Sequence, residues 1–277
     1  MVFRPSATHF NKGLDKYIQR MESKDSARYG IAKVIPPKSW VANLGNYEDP
    51  LENETRKFIP IKQTVQLADS HDSIYRVTSS EHPLGEMTGC IFKEENEKCV
   101  KNWKREDPLA LDYRQFTREF WHGITRREPL YGVDVPGTLF PPHVETWNLS
   151  RLGTMLDEVI VGKSLETVQT PFLYFGGAYS SFAAHIEDMN LYSINFLHGG
   201  AAKVWWSIAT GEEIHFEKWV QRYFPKEKCP AFLRHKSVLI NLSILQECGF
   251  TVKVMVQEKH EFIITHPHGY HWGVNVS

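Results

Sequence analysis

Cysteine is scarce in this chain: four in 277 residues, at Cys90, Cys99, Cys229 and Cys248. Their spacing frames no disulfide scaffold, which excludes the small stapled secreted folds and reads as a reduced, intracellular setting. Long apolar runs are missing too. None approaches the roughly 20 residues of a membrane span, and Met1 to Pro5 lead into no apolar segment of the signal-peptide kind. The chain therefore reads as soluble, with no membrane partner. Charge of one sign is not in excess either. A net charge of −1 offers no global field for nucleic acid, so no sequence-specific nucleic-acid binding is expected. Repeats and low-complexity tracts are absent from the sequence. What remains is 42% hydrophobic and 13% aromatic, enough for one large domain or two small ones.

Hydrophobic spacing gives the organisation. With Thr8 as N-cap, Phe10, Leu14, Tyr17, Ile18 and Met21 predict one N-terminal helix. A short strand follows from Tyr29 and is ended by Pro36-Pro37. Residues 45–110 are polar and poorly periodic, with Gly45, Asn46, Asp49 and Pro50 and the charge run Lys93 to Lys98, and read as loop with short elements. Asp112 to Trp121 reads as helix. So does the stretch from Asn148 as N-cap through Leu152, Met155, Leu156 and Val159, stopped near Gly162. From Thr170 the pattern becomes β: Pro171–Phe175, Leu191–Leu197, Lys203–Ser207, Val252–Val256 and Glu261–Thr265. A helical insert lies at Glu212–Phe224 and Leu242–Glu247, with Gly249 as its stop. Several short strands between turn residues predict a sandwich or jelly roll.

Three groups of residues carry chemistry. In an extended strand His185 and Glu187 point the same way; with His271 they make a two-histidine, one-carboxylate set, which suits non-haem Fe(II) and leaves coordination positions open. The alternatives are a surface pair and, for His271, one more histidine in a segment that also holds His266 and His268. Lys203 stands beside Trp205-Trp206 on an apolar strand, where an ammonium needs an anionic partner such as the distal carboxylate of a 2-oxo acid, or else snorkels to the surface. Asn195 lies one strand earlier, and Tyr131 and Tyr174 offer hydroxyls or serve as core aromatics. Cys229 and His235, six apart, are either half of a zinc site or a buried thiol beside an unrelated histidine.

These residues stand in longer motifs. Phe3-Arg4-Pro5-Ser6-Ala7-Thr8-His9-Phe10 through Ile35-Pro36-Pro37-Lys38-Ser39-Trp40 resembles a JmjN segment. Tyr131-Gly132-Val133-Asp134, Thr170 to Gly176, His185 to Asn195, Ala231 to Lys236 and Gly269-Tyr270-His271 resemble a JmjC domain. The whole is similar to the JmjN-plus-JmjC histone lysine demethylases acting on trimethylated and dimethylated lysine. The resemblance implies an α+β fold: a double-stranded β-helix, the cupin-like jelly roll, with flanking helices and an N-terminal JmjN segment. Residues 1–45 would be the JmjN segment, 46–125 a mixed linker region and 126–277 the JmjC jelly roll. His185, Glu187 and His271 would bind Fe(II). Lys203 and Tyr131 would hold the distal carboxylate of 2-oxoglutarate, and Asn195 would hold this cosubstrate near the metal. Tyr174 and Gly176 would line a methylammonium cage, Asp134 and Glu166 would touch the peptide, and Cys229 with His235 would be half of a structural Zn(II) site. The implied partners are a methylated histone tail in chromatin and O2, in the nucleus; the implied products are formaldehyde, succinate and CO2.

Departures from the pattern set further expectations. Gly177-Ala178 and Ala183-Ala184 are small where the subfamily is large, which predicts an altered substrate groove, and Gly199 to Ala202 lack the usual bulky turn. The family continues past a position equivalent to Ser277 with another strand and a Cys-x-Cys, which predicts an open strand edge at His271. A non-catalytic chromatin-binding module and a 2-oxoglutarate-dependent protein hydroxylase are the competing functions.

Overall fold

The computed structural model describes residues 1–45, 54–68, 71–103, 112–160 and 165–276; Asn46, Asp49, Pro50, Gly162 and Ser277 lie outside the described residues. Thirteen strands among these form three sheets. The first contains β1 (Val2–Phe3), β2 (Ile31–Val34), β8 (Ser193–Phe196) and β12 (Phe262–Thr265), in the order β1-β2-β12-β8. The second contains β3 (Ile61–Ala68), β4 (His71–Glu81), β5 (Leu130–Pro136), β6 (Phe172–Gly176) and β10 (Val238–Ile240), in the order β10-β4-β3-β5-β6. The third contains β7 (Ser181–His185), β9 (Lys203–Ile208), β11 (Val252–Gln257) and β13 (His271–Asn275), in the order β11-β9-β13-β7. The first and third sheets meet face to face through Ile31, Trp205, Met255 and Ile263. This is the curled two-sheet arrangement expected of a jelly roll.

The helices correct several expectations. The N-terminal helix is two helices, α1 (Ala7–Phe10) and α2 (Leu14–Glu22), parted at Gly13 with φ +92°. Ser6, not Thr8, caps the first, its side chain accepting from the His9 N–H. After α3 (Lys38–Ala42), the stretch read as loop holds the β3–β4 hairpin and the 14-residue α4 (Gly89–Asn102). Its charge run coats the outer side of α4, while Phe92 is buried; the mixed polar periodicity hid a helix that keeps only a narrow apolar stripe. α5 (Tyr113–Gly123) starts at Asp112 through a capping box with Gln115. The helix expected from Asn148 is instead a turn, held by Asn148 itself: its Nδ2 donates to the Val144 carbonyl and its Oδ1 accepts from Ser150 N and Oγ. With Gly153 at φ +65°, only α6 (Met155–Val159) remains, capped by Thr154. α7 (Glu166–Gln169), α8 (Glu213–Gln221) and α9 (Leu242–Glu247) complete the set.

The small residues Ala178 and Ala184 are fully buried in the main core with Trp206 and Trp272, which are themselves 0% exposed. Trp206 and Trp272 are cross-strand partners on β9 and β13. Bulk that β7 lacks is thus supplied by its neighbours, and the core-facing Ala184 leaves the groove unaltered on that side. Trp272→Ala is expected to lower stability by about 3–5 kcal/mol, the cost of an indole-sized cavity, and to orphan the Ile240 carbonyl to which Trp272 Nε1 donates at 3.0 Å. Urea titration checks this; a loss below about 1 kcal/mol contradicts the packing argument.

Candidate metal centre

β7 and β13 pair antiparallel with His185 opposite His271, so two imidazoles leave adjacent strands side by side. Their ring centroids are 4.4 Å apart. Glu187 follows β7 with extended backbone, φ −68° and ψ 156°, and turns its carboxylate to the same point. The ligand atoms of His185, Glu187 and His271 all lie within 4.8 Å of one another, the one such group of three or more among the described residues. Each imidazole is fixed from behind by a carbonyl two residues back. His185 Nδ1 donates to Ala183 O at 2.7 Å, and His271 Nδ1 donates to Gly269 O at 2.9 Å. This turns both Nε2 atoms to the shared point, where His271 Nε2 lies 3.3 Å from Glu187 Oε1. Burial, followed by the His271 ring, pulls the His185 pKa down to about 3, so the ring is a neutral ligand at pH 7. Burial opposes ionisation of Glu187, but its bonding with His271 and the fields of both histidines hold the carboxyl well below its usual range. Thr265 Oγ1 donates to Glu187 Oε1 at 3.4 Å. The donor set, with its second-shell carbonyls, fits Fe(II).

Lys203 opens β9 on the face next to this centre. It is 7% exposed and makes no ion pair with a described carboxylate; its nearest ring neighbours are Tyr131 and Phe182, each 5.9 Å from Nζ. Burial lowers its pKa from 10.5 to about 8. Tyr131, 5% exposed on β5, has its phenol pushed up to about 12, chiefly by burial. Asn195 has a buried side-chain oxygen with no partner among the described residues, while Gln257 Nε2 donates to its backbone carbonyl at 3.2 Å. Phe182 and Trp205 meet edge-on at 4.6 Å between Lys203 and His271. A buried ammonium beside a metal triad is what the distal carboxylate of a small dicarboxylate would satisfy.

At the mouth, a bulge in β5 between Gly132 and Val135 carries Asp134 at φ +52°. Tyr174, 43% exposed, donates its hydroxyl to Asp134 Oδ1 at 2.7 Å. Gly176 lies opposite Tyr131 on β6. Glu166 begins α7, and its side chain lies outside the described residues. A single cleft of about 2220 Å³ takes in the triad, Lys203, Asn195, Tyr131, Asp134, Tyr174 and Gly176. Cys229 and His235 lie apart: Cys229 packs partly buried against the main core, His235 is exposed, and no described third ligand joins them.

The expected open edge does not occur. β13 lies inside its sheet, paired to β9 on one side and β7 on the other, because the return of the chain places it between strands made earlier. Sequence reading missed Thr265 and Ser193 around Glu187, and Asn275 beside Tyr131. A period-two count from His271 points to Asn275, but the register shift after His271 breaks that signal.

A jelly roll with two histidines and one carboxylate between its sheets defines a class, the non-haem Fe(II) oxygenase-like proteins. Residues 172–277 match the family described as the JmjC domain, hydroxylase. It is 37% identical over 99% of its length to lysine-specific demethylase 4D of Rattus norvegicus, covering 52% of that protein. It is 36% identical to lysine-specific demethylase 4B of Mus musculus and 33% identical to the probable lysine-specific demethylase 4F of Homo sapiens, in each case over 99% of this chain and covering 24% and 42% of those proteins. The chain thus spans about half the length of these relatives or less.

Proposed function

We propose that this chain is a histone lysine demethylase unit that removes N-methyl groups from trimethylated or dimethylated lysine, consuming 2-oxoglutarate and O2 and releasing succinate, CO2 and formaldehyde. One observation carries it: a buried Lys203 ammonium, with no ion pair among the described residues, on the same sheet as a preformed two-histidine, one-carboxylate centre. His185, Glu187 and His271 would hold Fe(II), which when bound supplies the O2 activation that methyl hydroxylation requires. Lys203 neutralises the distal carboxylate of the cosubstrate and Tyr131 bonds it; Asn195 takes a polar group nearer the metal. Phe182 and Trp205 exclude water between the two. Tyr174, with Gly176, offers the methylammonium a hydroxyl and ring edge, and Asp134, bonded to Tyr174, lends negative charge where the cation enters. Asp134 and Glu166 would contact the histone peptide. Hydroxylation needs no prior deprotonation of nitrogen, so a quaternary lysine is a substrate, and the hydroxymethyl product sheds formaldehyde.

The names of the relatives support lysine demethylation. Nuclear location with chromatin as partner, a JmjN segment at 1–45 and a zinc held in part by Cys229 and His235 follow from the resemblance. The motive for a non-catalytic module that an open edge supplied does not persist, since β13 is paired on both sides.

Incubation with a trimethyl-lysine histone peptide, Fe(II) and 2-oxoglutarate is expected to give successive losses of about 14 Da with equimolar succinate, consistent with N-demethylation. His185→Ala is expected to give neither. A gain of about 16 Da without formaldehyde would favour protein hydroxylation instead, and no turnover with metal bound would sink the enzyme reading.

A further inference from the structure

We propose that Asn275 is the positioning residue of the cosubstrate pocket, holding the Tyr131 phenol toward Lys203; this rests on the proposed 2-oxoglutarate site. Asn275 is 2% exposed at the end of β13. It lies directly opposite Lys203 on β9, and directly opposed residues of an antiparallel pair share a face. Its carboxamide is locked. Nδ2 donates to Ser180 O at 3.2 Å and to Ser180 Oγ at 2.8 Å, while the backbone is tied by Asn275 N to Ser180 O at 2.8 Å and Tyr179 N to Asn275 O at 2.9 Å. The carboxamide packs over Gly176, the cross-strand partner of Tyr131. Burial raises the Tyr131 phenol pKa, and the polar field of the carboxamide draws it partly back down. Tyr131 belongs to the second sheet and Lys203 to the third, so Asn275 joins the two groups assigned to one carboxylate across a sheet boundary.

Gly176 supplies independent geometry. It is the cross-strand partner of Tyr131, and a Cβ built on it would lie 2.3 Å from Asn275 Cγ, 2.5 Å from Nδ2 and 2.7 Å from Oδ1. The backbone at Gly176 is bare because the Asn275 carboxamide occupies the space a side chain would take. Glycine here therefore serves the cosubstrate side of the cleft, beyond the methylammonium cage that the family pattern implies for it. A methyl at 176 displaces the amide and so reaches Tyr131 without touching it.

The test is titration of 2-oxoglutarate into the Mn(II)-loaded chain, with Mn(II) affinity measured separately for each variant. Asn275→Ala is expected to weaken 2-oxoglutarate about tenfold, the worth of one hydrogen bond to a charged-ligand site, with Mn(II) affinity unchanged. In a Tyr131→Phe background Asn275→Ala is expected to add less than twofold, because its effect runs through the phenol. Gly176→Ala, a smaller perturbation of the fold, is expected to weaken 2-oxoglutarate alone but to have no further effect once Asn275 is alanine. Independent, multiplying effects of Asn275→Ala and Tyr131→Phe, or an unchanged affinity in Asn275→Ala, overturn the assignment. Wild-type protein that binds Mn(II) but no 2-oxoglutarate overturns the cosubstrate reading, and this inference with it.

Discussion

Lys203→Met is expected to make the ligand-free protein more stable and the cosubstrate complex much weaker, two changes of opposite sign from one substitution. Burial holds the Lys203 pKa near 8 against an ordinary 10.5. Between those values the folded chain binds fewer protons than the unfolded chain, so stability rises with pH across that window; below about 8 the full cost of a buried ammonium is present. At pH 7 that cost is about 3 kcal/mol, and an apolar isostere removes it. With 2-oxoglutarate the ammonium has its counter-ion, and methionine would leave a buried carboxylate alone, a loss of roughly 2–5 kcal/mol in binding. Urea titrations with and without the cosubstrate separate the two effects. The wild-type affinity for 2-oxoglutarate is also expected to fall as pH rises through about 8, when the ammonium deprotonates, and the methionine variant to lack that dependence. A destabilised ligand-free variant with unaltered affinity would return Lys203 to a structural role.

The second large effect concerns the triad. His271→Ala is expected to lower metal affinity by more than about 100-fold and to abolish turnover, since loss of an outer-shell partner alone costs about 10–100-fold. Thr265→Val sets the lower rung: it deletes the hydroxyl that donates to Glu187 Oε1 and is expected to cost about tenfold in metal affinity. Titration with Mn(II) ranks the two. A His271→Ala variant that keeps wild-type affinity would place the metal elsewhere.

The triad was legible because its logic is local or nearly so. His185 and Glu187 are two apart, and the histidine on the last strand needed only the antiparallel pairing that a jelly roll supplies. Lys203 was legible as a charge on an apolar strand. Elements governed by particular contacts were not. α4 looked like loop because few of its positions are apolar, and the stretch after Asn148 looked like helix because nothing in its periodicity reports that Asn148 bonds backwards to Val144. Of the small residues expected to alter the groove, Ala178 and Ala183 do line the cleft, while Ala184 faces the core. There compensation came from Trp206 and Trp272 on other strands, a pairing visible only once the register is known. Asn275 was signalled only by a period-two count from His271, which the register shift after that residue obscures.

One close approach, that of Gly30 to Gly269, bears on how the molecule comes to exist. Gly30 has φ +73°, and a Cβ on Gly269 would lie 2.6 Å from the Gly30 Cα; only two bare backbones fit there. Gly269 offers the carbonyl that orients His271, and next to it β2 lies against β12, sealed by Lys33 and Glu261, 228 positions apart, at 2.8 Å. Contacts of such separation close late and slowly in folding. Residues near 33 must therefore wait for those near 261, and the third ligand becomes aligned only when that seam closes. Metal competence is expected to be acquired in the final kinetic phase of refolding, after most secondary structure has formed, and a chain interrupted before it is left with all three ligands and no centre.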